Sequence, residues 1–144
     1  MLLDPERFKQ RRDLAFKHGY RHLALHAIGD RAAAEAVELL GPQSRGMFDR
    51  LRVEHFQLAS DEDRERCADA GIAICMQPNF TSDVADYSDR LGERANNLCE
   101  HRAVLDSGAL LGFGSDGMRW ADNCRLSPRG RAIDRVRRRC KACL

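Results

Sequence analysis

A chain of 144 residues, 43% of them hydrophobic, with a formal net charge of +2, is the size of one ordinary domain. No stretch approaches the roughly 18 apolar residues that span a bilayer. The start, Met1-Leu2-Leu3-Asp4-Pro5-Glu6, lacks the basic and apolar regions of a secretion signal. The expectation is a soluble, cytoplasmic protein whose six cysteines are free thiols rather than disulfides, with Cys67, Cys75 and Cys99 buried among apolar neighbours. Charge is uneven. Residues 119–144 carry nine Lys+Arg against two Asp+Glu, which leaves 15 against 20 in the first 118. That break divides the chain into a body, 1–118, and a basic, unstructured tail, 119–144.

In chain order, residues 5–18 read as a helix, with Leu14 and Phe16 as its apolar bulk and Gly19 as its stop. Arg21 to His26 reads as a strand, with Leu23 and Leu25 on one face and His22, Ala24 and His26 on the other. Gly29 turns the chain, and Asp30 caps an Ala-rich helix running to Leu40. Leu51 to His55 is a second strand. Ser60 caps a third helix, with Asp61, Glu62 and Asp63 in its first turn and Gly71 at its end. Ile72 to Met76 is a continuous apolar strand, the pattern of burial on both faces, and Gln77-Pro78-Asn79 breaks it. Residues 79–93 read as a long irregular loop with a helical turn, 97–107 as a helix, and Ala109 to Phe113 as a fourth strand, left by Gly114-Ser115-Asp116-Gly117. Alternating helix and strand predicts an α/β fold of βα units around a parallel sheet. The chain is too short for a complete eight-fold barrel, which needs at least about 200 residues.

Three of these strands end in metal-binding chemistry: His26, His55 and Asp116. Imidazole and carboxylate both suit zinc and related divalent cations. Their separations rule out a single helix or finger loop and fit ligands from separate strand ends, where barrel enzymes keep their catalytic residues. A cation there lowers the pKa of water to near neutrality, and Asp116 is placed to take that proton and pass it to a leaving group. A lone strand-end histidine is more often structural, and Asp30 is better read as a helix cap than as an acid. His18, His22 and His101 read as surface or supporting groups. The ordered set of two histidines and an aspartate carries the metal reading.

Longer stretches around these residues resemble the metal-dependent amidohydrolase superfamily, family 3, the group of YtcJ-like proteins and N-substituted formamide deformylases. They are Leu25-His26-Ala27-Ile28-Gly29-Asp30-Arg31-Ala32, Arg52-Val53-Glu54-His55-Phe56-Gln57, Gly71-Ile72-Ala73-Ile74-Cys75-Met76-Gln77-Pro78 and Gly112-Phe113-Gly114-Ser115-Asp116. The resemblance implies a partial TIM-type barrel of about four βα units, strands five to eight of the parent. It implies His26 and His55 as the fifth- and sixth-strand metal ligands, and Asp116 as the eighth-strand ligand and catalytic proton shuttle. It also implies a divalent metal, zinc, and places Gln77 near the substrate. The implied activity is hydrolysis of a carbon–nitrogen bond in a small amide or N-formyl compound.

The departures are equally definite. The superfamily's first-strand His-x-His pair, its fourth-strand bridging group and its small β-sandwich domain have no counterpart here. After Met118 the resemblance stops. The expectation is a truncated or frameshifted reading frame with weak or no activity, in which Cys140 and Cys143 are accidental. The alternative is a non-catalytic remnant, or a partner subunit for a second chain bearing the His-x-His half. Open strand edges favour such a complementing chain or a homo-oligomer. Nucleic-acid binding through the tail is not expected, because the tail lacks a recognisable motif.

Overall fold

Asp4 opens the first element. Its carboxylate accepts the amide of Glu6 at 2.9 Å, and Pro5 stands in the first turn of α1 (Pro5–Lys17), where a missing N–H costs nothing. In this computed structural model, which describes residues 4–78, 80 and 83–116, strands and helices then alternate. They are β1 (His22–Ile28), α2 (Asp30–Leu40), β2 (Arg50–Gln57), α3 (Asp61–Ala70), β3 (Ile72–Met76), α4 (Asp83–Leu91), a 3-10 segment (Gly92–Asn97), α5 (His101–Asp106) and β4 (Leu111–Phe113). The expected tail, 119–144, lies outside the described residues.

The four strands are all parallel and lie in the order β1-β2-β3-β4. A doubly wound sheet reverses its strand order partway, and this one does not. Right-handed crossovers in an unreversed order keep the connecting helices on one face, as in a sector of a βα barrel. The expected α/β class with a parallel sheet is what the chain adopts. α2 packs on β1 and β2, α3 on β3, and α5 on β4. On α2, Ala33, Ala36, Val37 and Leu40 are buried, the i, i+3, i+4, i+7 stripe of a helix lying on a core. They join Val53 and Ile74 in one apolar cluster. No helix of the described residues is long and apolar enough to cross a membrane.

Local signals set the helix ends. Ser60 Oγ accepts the Asp63 amide at 3.1 Å while the Asp63 carboxylate accepts the Ser60 amide at 3.3 Å, a reciprocal cap that satisfies two donors at once. Gly71, at φ 67°, ends α3 in the left-handed region.

Several expectations change. Gly29, not Asp30, holds the capping position of α2; Asp30 is the first helical residue, and its carboxylate accepts the Arg31 amide at 2.8 Å. The stretch read as irregular, 79–93, contains the nine-residue α4. Its apolar residues Val84, Tyr87 and Leu91 recur at helical spacing, a signal masked by the polar residues between them. Most of the expected 97–107 helix is a short α5, because residues 92–97 close as a 3-10 segment around buried Ala95. β3 is fully buried on one face only: Ile72, Ile74 and Met76 are buried, Ala73 and Cys75 half-buried. On α1 the buried residue is Phe8, while Leu14 is exposed.

Candidate functional site

The side of the sheet away from the helices carries the site. Strand register sets Ala24 beside Arg52 and Ala73, and His26 beside Glu54, Cys75 and Gly112. Burial alternates along β1 accordingly. Leu23, Leu25 and Ala27 turn to the helices, while His22, Ala24, His26 and Ile28 are exposed. His26 thus stands at the open face near the C-terminal end of its strand.

Regular alternation would send His55 the other way. It pairs with buried Ala27, and its neighbour Val53 pairs with Leu25. The backbone breaks that rule. His55 (φ 71°) and Phe56 (φ 53°) both adopt left-handed conformations, and the register slips between Ala27 and Ile28 so that Ile28 pairs with Gln57. Such a bulge re-aims a side chain. The His55 ring comes to lie edge-on to the His26 ring, 4.4 Å between centroids at 70°. Left-handed backbone at a bulky non-glycine residue costs of order 1–3 kcal/mol, and such strain clusters at functional sites.

The two rings sit in unlike surroundings. His26 is exposed and His55 is 5% exposed. His55 Nδ1 lies 2.8 Å from Gln77 Oε1, and Phe80 stacks on its face at 5.8 Å with 9° between planes. Gln77, just past β3, is 4% exposed. Below this pair, Arg52 and Glu54 form an ion pair on the open face. Burial and a hydrogen bond to Glu54 raise the Cys75 thiol above its ordinary pKa.

Asp116 follows β4, is exposed, and has left-handed backbone at φ 54°. Of the residues expected to bind metal, the structure joins His26 and His55. Among the described residues no three His, Cys, Asp or Glu side chains gather as a metal-holding group. The donor chemistry of the imidazole pair nevertheless fits a divalent cation. With Nδ1 bonded to an amide oxygen, Nε2 of His55 is the nitrogen with a lone pair to give.

Two expectations at single residues change. Cys67 and Cys99 are buried thiols outside any disulfide among the described residues, as expected, but Cys75 is half-buried, because it faces the open side. Burial pushes the Cys67 thiol up to about 12. His18 and His22 are exposed, whereas His101 is buried at the start of α5, against the edge of Phe113 at 5.4 Å. Burial pushes its imidazole down to about 4. Neither the His55–Gln77 bond nor the Phe80 stack was expected. Gln77 directly follows a strand that ends beside β2, which was the one available sign of it.

The model of the amidohydrolase family matches residues 1–142. The chain is 36% identical over 98 residues to YtcJ of Bacillus subtilis (strain 168), covering 65% of this chain and 18% of that protein. It is 31% identical over 121 residues to the protein LONG AFTER FAR-RED 3 of Arabidopsis thaliana, covering 80% and 21%. The chain therefore spans about a fifth of the length of these curated relatives. Among solved structures, uncharacterized metal-dependent hydrolases of Pyrococcus horikoshii OT3 and Pyrococcus furiosus superpose with TM-scores of 0.67 and 0.68, each at 28% identity. The match covers 81% and 82% of this chain and 23% and 24% of theirs.

Proposed function

Since the chain belongs to the amidohydrolase family, we propose that its sheet is the second half of a metal-dependent hydrolase barrel, parent strands five to eight, holding a divalent cation, zinc, through His26, His55 and Asp116. The observation that carries this reading is the pair of imidazoles 4.4 Å apart at two adjacent strand ends, one of them turned there by strained backbone. Both arise where barrel enzymes assemble their sites. The cation, when bound, supplies a Lewis acid that activates water and polarises a carbonyl.

The residues divide the remaining work. His55, clamped between Phe80 and His26 and tied to Gln77, is the rigid ligand. His26, on the open face, is the accessible one. Asp116 holds the proton released by the attacking water and delivers it to the leaving nitrogen. The reaction class is hydrolysis of a carbon–nitrogen bond in an amide or N-formyl compound.

Zinc titration of the purified protein tests this reading. Wild type binds zinc; His55→Ala and His26→Ala lose most of that affinity, and Asp116→Asn weakens it. Equal zinc content in wild type and His55→Ala would overturn the assignment.

A second reading has its own observation. The open face of β1 exposes Ile28 at 46%, and a cavity of about 440 Å³ beside β1 and α2 is lined by Leu25, His26, Ile28, Asp30, Glu35 and Leu39 among others. An edge strand with an adjoining cleft suits a complementing βα half that brings the missing ligands. Hydrolysis that appears only on mixing with a chain bearing His-x-His supports this; full activity of the isolated chain removes it.

A further inference from the structure

A buried side-chain amide stands against the more buried imidazole. Gln77 and His55 are 4% and 5% exposed, so neither trades this bond freely with water. The separation of Oε1 and Nδ1 is 2.8 Å, well inside hydrogen-bond range. The other end of the amide is also engaged. Gln77 Nε2 points to the Cys75 carbonyl at 3.4 Å, and that acceptor requires the amide's donor end. The amide oxygen is therefore the end that meets the ring. A carbonyl oxygen only accepts, so Nδ1 carries the proton, and in the neutral ring Nε2 holds the lone pair. Among the described residues this is the ring's one hydrogen bond.

We propose that Gln77 is the positioning residue that holds His55 in its Nδ1–H form and so reserves Nε2 for a metal. This deepens the metal-site reading and rests on it for its purpose, though not for its geometry. Three neighbouring features fix the ring's orientation as well as its tautomer. Phe80 lies parallel to it at 5.8 Å, His26 meets it edge-on, and the left-handed backbone at positions 55 and 56 sets the direction of approach. A histidine ligand normally gives its second N–H to a carboxylate, a main-chain carbonyl or water. A neutral amide orients the ring without adding negative charge beside it. The net charge at the site is then left to the metal's own ligands.

The test separates the tautomer from metal binding. Nitrogen-15 NMR of the metal-free protein, with labelled histidine at a pH where the ring is neutral, reports which nitrogen of His55 is protonated. Wild type is expected to show Nδ1–H and unprotonated Nε2. Gln77→Leu, similar in size but without an acceptor, is expected to shift His55 toward the Nε2–H form and to weaken zinc binding by about 10–100-fold. Gln77→Glu, which keeps the acceptor, is expected to retain Nδ1–H and recover zinc binding, which a mere packing role would not do. An Nε2–H ring in wild type, or an unchanged tautomer in folded Gln77→Leu, overturns the proposal. Zinc binding that persists in His55→Ala overturns the metal-site reading instead, and the tautomer measurement still decides the role of Gln77.

Discussion

The two faces of the sheet are built from the same strands and have opposite characters. On the helix side, Val53 and Ile74 are fully buried and Ile72 and Met76 are 1% exposed; the Cys67 thiol there is pushed up to about 12 by burial. On the other side, Ala24, His26, Arg52 and Gly112 are all exposed. A β/α unit completes its outer layer with its own helices, which come with each strand in sequence. In a β/α barrel its inner layer is completed only by strands from across the barrel. The chain therefore carries its stability on one face and its candidate chemistry on the other.

Substitution can break that contrast. Ile74→Ala leaves a cavity in the outer layer and should cost about 2–5 kcal/mol, read as a fall in the urea midpoint. If Ile74→Ala is as mild as a surface change, the helix side is not the stabilising layer. His101, on α5, is a titratable group buried on that side. Its folded-state pKa is about 4 against an ordinary 6.5, because burial disfavours the charged ring. Between those pH values the unfolded chain binds a proton that the folded chain does not. Stability is thus highest above pH 6.5 and declines as pH falls toward 4, by up to about 3 kcal/mol. His101→Phe should flatten that decline in melts followed by circular dichroism; an unchanged slope would assign the acid sensitivity elsewhere.

The smaller effects sharpen the comparison. Ser60→Ala removes one half of the reciprocal cap at the start of α3 and should cost about 1 kcal/mol, with Ser60→Asp restoring most of it. On the open face, His22→Ala should change stability by less than about 0.5 kcal/mol. A loss several times larger would mean that the open face is already covered in solution, and sedimentation would then show an assembly larger than one chain.

Much of the fold was legible because its signals are local. The apolar stripe of α2, the acids after Ser60, and Gly71 at a left-handed position each act within a few residues. They placed α2, α3 and β3 close to their observed bounds. α4 escaped because polar residues dilute its stripe, and α5 was overextended because the 3-10 closure at 92–97 depends on packing around Ala95 and Leu98.

The site divides in the same way. That His26 and His55 end adjacent strands could be read directly from the order of residues, because the apolar runs before them mark strands and Gly29 marks the turn. Strict alternation, however, assigns those two side chains to opposite faces of the sheet. Only the folded chain reverses this, through left-handed backbone at positions 55 and 56 and a one-residue slip against β1. The amide of Gln77 meets His55 across 22 positions of sequence, and the burial of His101 likewise depends on a neighbour, Phe113, from a different element. Periodicity reports which way a side chain points relative to its own backbone. Which group it then meets depends on the register between strands, which only the assembled sheet contains.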